Sequence, residues 1–486
     1  MASPGTSVRA SRSRLVSTYY DTPDHALARR GSSLRVRRRG RHFVQTVKAA
    51  GTLGESGLAR GEWEDRVSGE SPDPQAVQTG PFLSPEIAER LRPLFRTEVS
   101  RLTIPLAPEP ATRIEAAIDR GQIRNDEKTP AEPISEVELE LKSGAPTALY
   151  DVALQLLHIA PLRLERRSKA ERGYQLAAGG EGTAKAIHAT PIELNASLPG
   201  EAVLCQTGRA CLDHLLRNED AALAGDAEGI HQMRVAVRRL RAILSTFAAL
   251  LPRDQRRWAS SELRWLADTL GEARNLDVFT SGLVQPARAA LPIASEFERL
   301  TLAAQRRRQA AHAAVIQAIS STRYTEALLA LLRWLDGDDW RHAGDEALRQ
   351  PIADIAPALL DRCRTQAEKR AKGFAHQSAN KRHRLRIALK KMRYAAELFA
   401  GLYDVAEARQ FIQRLKRLQD DLGDANDIRV GRDIVAALSD PGQRATGIAL
   451  GGRRVLAWHK KRLAGLETQI RQELCALIDA PPFWRL

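Results

Sequence analysis

The sequence predicts an α+β domain with mainly antiparallel strands followed by an all-α domain. Three observations predict it. At 486 residues the chain exceeds the length at which one hydrophobic core keeps growing, so two or more domains are expected. Apolar residues recur with a period near two up to about residue 180 and near 3.6 from about residue 200 onward. The helical part then repeats itself at a constant offset of 152 residues. The domain limits follow at 1–180 and 200–486, with 181–199 as a linker and the repeat copies at about 202–335 and 354–480.

In the first domain, strands are expected at Arg35 to Arg37, His42 to Lys48, Gly61 to Val67, Val99 to Leu106, Arg113 to Asp119, Ser135 to Lys142 and Arg163 to Lys169. Loops rich in Gly, Pro and Ser separate them, as at Gly51 to Gly57 and Ser68 to Pro74. Helical spacing fits Pro85 to Leu94 and Thr147 to Leu157. In the second domain, helix breaks are expected near Ala224-Gly225, Pro252, Gly271, Gly337, Gly401, Gly423 and Pro441-Gly442.

The composition is 43% hydrophobic and 27% charged, which excludes a disordered chain. The net charge of +15 is uneven: Lys and Arg stand at 46 against 34 acidic residues after residue 200, and at 28 against 25 before it. The four cysteines, Cys205, Cys211, Cys363 and Cys475, lack CxxC spacing and fall in helix-like segments, so reduced, buried thiols and a cytoplasmic setting are expected. The N-terminus has no apolar leader region, and no stretch approaches eighteen apolar residues, so no membrane partner is expected.

The duplication carries the clearest chemistry. His231, Arg234, Arg238 and Arg241 share one helical face, with Met233, Val237, Leu240 and Leu244 on the apolar one. The offset of 152 reproduces the stripe as His383, Arg386, Lys390 and Arg393. The same register pairs Phe247 with Phe399 and Leu270-Gly271-Glu272-Ala273 with Leu422-Gly423-Asp424-Ala425. Like charges at i,i+4 repel by about 0.2–0.5 kcal/mol per pair, a repulsion that a polyanion relieves. Solvated faces with acidic residues across from them are the alternative reading.

In the first domain the charge sits on strands. Arg35 and Arg37 share a face, as do Glu62 and Glu64, and as do Glu136, Glu138 and Glu140 opposite Val137, Leu139 and Leu141. If the apolar side packs against helices, the carboxylates point into a barrel, where Mg²⁺ or Mn²⁺ with phosphate oxygens would satisfy both them and the facing cations. A sheet with one wet face of charge pairs remains open on alternation alone.

Both helical copies resemble the CHAD domain, a conserved-histidine α-helical module. The carrying residues are His231 with Arg234 and Arg238-Arg239-Leu240-Arg241, His383 with Arg386 and Lys390-Lys391-Met392-Arg393, the Leu-Gly turns at 271 and 423, and Pro482-Phe483-Trp484. The resemblance implies a basic helical bundle that binds inorganic polyphosphate through His231, Arg234, Arg238, Arg241, His383, Arg386, Lys390 and Arg393, and placement at polyphosphate granules.

The first domain is similar to the CYTH family of triphosphate tunnel metalloenzymes. It matches at Tyr19 to Pro23, Leu34-Arg35-Val36-Arg37, Gln45 to Lys48, Arg60-Gly-Glu62-Trp-Glu64, Asp119-Arg-Gly121, Glu136 to Lys142 and Ser168 to Tyr174. The resemblance implies an antiparallel tunnel-like β-barrel holding a divalent metal through Glu62, Glu64, Glu138 and Glu140. Arg35, Arg37, Lys48 and Lys169 would bind phosphate, and Glu138, Glu140 and Lys169 would act in catalysis. The family opens on a Glu-x-Glu-x-Lys strand, and the eighteen residues before Tyr19 contain none. A tunnel short of its first strand is therefore expected.

Together the two resemblances imply a polyphosphate-binding protein with an inorganic triphosphatase-type domain that splits triphosphate into diphosphate and phosphate, provided an upstream strand completes the tunnel. A non-catalytic polyphosphate-associated protein with a decayed tunnel is the alternative. A nucleic-acid binder ranks last, because the basic stripes carry few interleaved aromatics and no groove-reading motif.

Overall fold

A computed structural model describes residues 9–49, 61–125, 130–179, 184–292, 295–439 and 447–485. The expected loop at Gly51 to Gly57 and the break at Pro441-Gly442 lie outside them. The chain divides into two compact units, 1–183 and 184–486.

The first unit is built on seven antiparallel strands: β1 (Ser11–Asp21), β2 (Ser32–Arg39), β3 (His42–Ala49), β4 (Gly61–Val67), β5 (Arg92–Leu106), β6 (Arg113–Arg124) and β7 (Glu132–Ser143). Their order is β4-β3-β2-β1-β5-β6-β7. The central strand, β1, pairs on both sides and carries the Tyr19-Tyr20-Asp21 match, yet its polar first half, Ser11 to Arg14, gave it no alternation by which it could be predicted. β4 and β7 are the two edges among the described residues.

The helices of this unit are α1 (Ala26–Arg29), α2 (Pro85–Ala88), α3 (Thr147–Leu157) and α4 (Lys169–Ala177). On one face of the sheet, Leu34, Val36 and Val47 bury against Leu27, Leu83 and Ile87 from the α1 and α2 segments. On that same face at the other end, Ile114 packs with Ala148 and Val152 of α3. Each such side chain, fully buried, contributes about 1.5–3 kcal/mol. The opposite face is the charged one. α4 closes one end of it, with Ala170 and Tyr174 against Phe95, Val99 and Ile134.

Two expectations for this unit are corrected. Arg163 to Lys169 is not a strand: Ser168 opens α4 with a capping box, its hydroxyl accepting from Glu171 N at 3.2 Å while the Glu171 carboxylate accepts from Ser168 N at 2.6 Å. The helix from Pro85 stops at Ala88, and Arg92 already begins β5, because the sheet captures the chain before a second turn can add packing.

The second unit is helical: α5 (Gly200–Leu216), α6 (Glu219–Leu223), α7 (Ala227–Thr246), α8 (Arg253–Asp277), α9 (Gln285–Ala290), α10 (Ser295–Ile319), α11 (Thr322–Asp336) and α12 (Asp339–His342), then α13 (Ile352–Ala371), α14 (Ala379–Phe399), α15 (Val405–Leu438), α16 (Gly447–Arg462) and α17 (Leu466–Asp479). α5 and α13 start 152 residues apart, as do α7 and α14 and α8 and α15. The copies face each other around a pseudo-two-fold axis. Gly200 N donates to Gln350 O at 3.0 Å and Ile352 N donates to Leu198 O at 2.7 Å, a reciprocal pair in which each partner is the other shifted by 152. Phe247 and Phe399, also repeat mates, meet edge to face with centroids 6.3 Å apart.

Gly271 and Gly423 do not break helices, contrary to expectation; they lie inside α8 and α15. Cys205 and Cys211 are buried and Cys363 partly so, but Cys475 is exposed on α17, so the expectation of buried thiols fails there. All four are free.

Candidate functional site

Strand register decides what the first unit presents. Arg35 pairs with Thr46, Thr46 with Glu64 and Lys48 with Glu62, so these lie on one face of β2, β3 and β4. Arg37 pairs with Ser17, Arg101 with Asp119, Asp119 with Glu136 and Ala117 with Glu138, which carries the same face through β1, β5, β6 and β7. Arg35 donates to Glu62 at 3.2 Å and Thr46 to Glu64 at 3.0 Å, while Lys48 lies 3.0 Å from Glu62. Arg37 is anchored by Nε to Ser17 Oγ at 2.9 Å; burial first, then the charges of Arg35 and Arg101, lowers its pKa to about 10. That guanidinium stands among cations, a position suited to an anion.

The acidic end of this face is denser. Asp119, fully buried, receives two hydrogen bonds from Arg101, at 2.7 and 2.6 Å, and Arg101 reaches Glu138 at 2.5 Å. From α4, the Lys169 ammonium lies 2.7 Å from both Asp119 and Glu138 and also touches Glu136. Arg172 donates to Glu132 at 2.7 Å and Glu136 at 3.0 Å, and the Tyr174 hydroxyl to Asp21 at 3.0 Å. Gly173 permits this seating, because a Cβ there would stand 2.0 Å from the Phe95 ring. Burial alone would raise the pKa of Asp119 and Glu138; Arg101 and Lys169 outweigh it and hold both below the usual carboxylate range.

Ligand oxygens of Asp119, Glu136 and Glu138 lie within 4.8 Å of one another. An ammonium already sits among them, and three hard oxygen donors around one cationic position fit a hard divalent cation such as Mg²⁺ or Mn²⁺.

In the second unit, Arg234 and Arg238 of α7 face their repeat mates Arg386 and Lys390 of α14 across the pseudo-two-fold axis. Arg234 donates to Gly271 O at 2.9 Å, and Arg238 Nε to the Tyr394 hydroxyl at 2.6 Å. Gly271 and Gly423 make room for this: a Cβ would come within 3.3 Å of Arg234 Nη1 at the first and 3.7 Å of Arg386 Nη2 at the second. Burial, followed by the charges of Arg238, Arg386 and Arg234, pulls Lys390 down to about 6. Burial and then Arg238 and Arg386 lower Arg234 to about 10, and burial and then Arg274 lower His231 to about 4. Burial likewise lowers the pKa of His383, whose Nδ1 contacts Asn426 Oδ1 at 3.2 Å, so both histidines are shifted toward the neutral form. His231 Nδ1 and Arg386 Nε are buried without a partner among the described residues, so this cluster holds donors in reserve.

The CYTH domain family matches residues 6–174 and the CHAD domain family residues 206–436. A solved structure of the CHAD domain from the plant Ricinus communis is 30% identical, with a TM-score of 0.52, and the match covers 60% of this chain and 97% of that one. This chain carries a CYTH domain followed by a CHAD domain. Over 163 residues it is 33% identical to an inorganic triphosphatase of Haemophilus influenzae, covering 33% of this chain and 46% of that protein. Over 226 residues it is 30% identical to a protein of Mycobacterium tuberculosis, covering 44% of this chain and 41% of that one. The chain thus spans less than half the length of these curated relatives.

In the CYTH domain the structure groups Arg35, Lys48, Glu62 and Glu64 at one side of the charged face, and Glu138 with Lys169 at the other. Glu140 does not join Glu138; it is 65% exposed and bonded to Lys142 at 2.5 Å. Glu136, which strand alternation places beside Glu138, joins the acidic group with Asp119, Arg101 and Arg172; these last three are not among the sequence-predicted site residues, although the Asp119-Arg-Gly121 match points at the first. In the CHAD domain Arg241 turns away from the cluster, exposed near Asp268 and Arg264, and Arg393 pairs with Glu397 at 3.0 Å. Tyr394 and Gly271 were the missed partners, and the repeat of Gly271 at Gly423 was the available signal.

Among the described residues no helix is long and apolar enough to cross a membrane.

Proposed function

We propose that the CYTH domain hydrolyses inorganic triphosphate to diphosphate and phosphate with a divalent cation, Mg²⁺ or Mn²⁺, and that the CHAD domain binds inorganic polyphosphate. The observation that carries the first part is one sheet face on which the carboxylates of Asp119, Glu136 and Glu138 converge while Arg35, Arg37 and Arg101 line the rest. Those carboxylates would hold the cation, which when bound neutralises charge on phosphate oxygens. Arg37, fixed at Ser17, and Arg35, fixed at Glu62, bind and align the phosphate chain and take up charge that develops on the transferred group. Lys169, held protonated by its carboxylates, adds a further donor.

Phosphate release from tripolyphosphate by the 486-residue chain, with Mg²⁺ or Mn²⁺ and beside Glu138→Gln, tests this. Metal-dependent release that the substitution abolishes supports the reading. Absence of release from a folded chain overturns it, in favour of a non-catalytic polyphosphate-binding protein. That second reading draws on Lys169, whose ammonium is already ion-paired with all three carboxylates.

Arg234, Arg238, Arg386 and Lys390 support the second part, converging from two copies with no carboxylate hydrogen-bonded to Arg234 or Arg238 among the described residues. The same reading sets the protein in the cytoplasm, at polyphosphate granules. Loss of long-chain polyphosphate binding in Arg234→Ala/Arg386→Ala, with melting unchanged, is the expected result, and retained binding counts against it.

A further inference from the structure

The face of the CYTH sheet that α1, α2 and α3 cover is not covered throughout. Between the α1 and α2 patch on β2 and β3 and the α3 patch on β6 and β7 runs a strip of open sheet. Register places Arg12 and Arg14 of β1, Arg38 of β2, Arg96 of β5 and Arg120 and Arg124 of β6 on it, because each is an even step from the buried apolar residues of that face and odd from Ser17, Arg101 and Asp119. All six arginines are exposed. Among the described residues their ion pairs are two, both to Glu98, at 3.7 Å from Arg14 and 3.6 Å from Arg96. A surface groove of about 510 Å³ runs beside Arg12 and Arg14.

We propose that this arginine strip is a second anion site of the CYTH domain, on the back of the sheet from the carboxylate cluster, and that its occupant is a linear inorganic polyphosphate chain. The charge balance calls for a polyanion, since one carboxylate answers six guanidiniums. Neighbouring strands stand about 4.8 Å apart, so cations on β2, β1, β5 and β6 meet a chain laid across the strands at short, regular intervals. Besides its arginines the strip offers Glu98, Ser100 and Gln122 with Val16, Thr18 and Leu102. The ring nearest to it, Phe43 opposite Arg38, is packed into the α1 and α2 patch, so among the described residues no free ring is left for a base to stack on, which favours an inorganic chain over single-stranded nucleic acid. The proposal rests on the reading that this protein engages phosphate chains, but needs neither hydrolysis nor the CHAD cluster.

The test uses the full chain with Arg234→Ala/Arg386→Ala as background, so that the remaining affinity for long-chain polyphosphate reports on the CYTH domain. Adding Arg14→Ala, Arg96→Ala and Arg120→Ala should weaken that affinity at least tenfold and flatten its dependence on log salt concentration by about 2, at roughly 0.7 per lost phosphate contact. Tripolyphosphate hydrolysis by the triple variant should match that of its background, which separates this site from the charged face. An unchanged salt slope, or a background that binds no polyphosphate, overturns the proposal. So does single-stranded RNA that binds the background more tightly than polyphosphate and loses affinity in the triple variant, which would make the strip a nucleic-acid surface. If hydrolysis is absent in every chain while the salt slope flattens as stated, the catalytic reading fails and the strip stands.

Discussion

Arg234 Nη1 donates to the carbonyl oxygen of Gly271 at 2.9 Å, from inside one helix to inside the next. A Cβ at position 271 would lie 3.3 Å from that nitrogen. Glycine inside a helix costs about 0.5–1 kcal/mol relative to alanine, so Gly271 trades helix stability for the position of a cation. Gly271→Ala should therefore raise or preserve the melting temperature while lowering polyphosphate affinity by about threefold to tenfold, measured by calorimetry beside thermal melting. At Gly423, where the clearance is 3.7 Å, the same change should cost less affinity.

Lys390 titrates near 6 in the folded chain, against an ordinary value of 10.5. Between those values the unfolded chain binds the proton and the folded one does not, so this group makes stability rise with pH from about 6 toward 10.5 and contributes no pH dependence below 6. A bound polyanion reverses the balance by favouring the ammonium. Polyphosphate binding at pH 7.5 should take up protons, seen as a dependence of binding heat on buffer ionisation enthalpy at about pH 7.5. Lys390→Met should remove the uptake; uptake that survives it would assign the proton elsewhere.

Asp119 is buried beneath Arg101 and Lys169, with its pKa lowered. Its contribution is present above the ordinary carboxylate value and is lost as pH falls through the depressed one, so the first unit should lose stability on acidification below about pH 4. Asp119→Asn leaves two cations facing a neutral amide and should destabilise that unit by about 3 kcal/mol. Denaturant unfolding at pH 7 and pH 3 checks both, and the gap between the two proteins should narrow at the lower pH.

Gly173 sits where a side chain would strike the Phe95 ring. Gly173→Val should lift α4 and carry Lys169 and Arg172 away from Glu136 and Glu138. Hydrolysis of tripolyphosphate should fall well over tenfold while the second unit melts as before; unchanged hydrolysis would show that α4 is dispensable to the charged face.

Much of this was legible from local pattern. The strand that ends at Val67 and the helix Thr147–Leu157 stop where they are expected to, because alternation and helical spacing there agree with the burial each segment finds. The paired stripes at His231 and His383 needed only the offset to be seen. Lys169 falls on a helix and not on the expected strand, since the alternation of Leu162 to Glu165 stops short of it and the Ser168-Glu171 capping box marks the helix start. Arg241 was placed in the stripe because it shares the helix face, but α8 brings Asp268 and Arg264 to it instead.

The sequence by itself determined the two domains, the duplication, and the residue types that populate each strand and helix face, because period and offset are local properties of the chain. Tertiary structure alone decided which of those faces meet. Strand order and register joined Asp119 to Glu136 and Arg101 and spread six arginines across four strands into one strip. The pseudo-two-fold axis brought Arg234 and Arg238 to Arg386 and Lys390. Pairing and packing depend on contacts between residues far apart in the chain, and no local pattern encodes the partner.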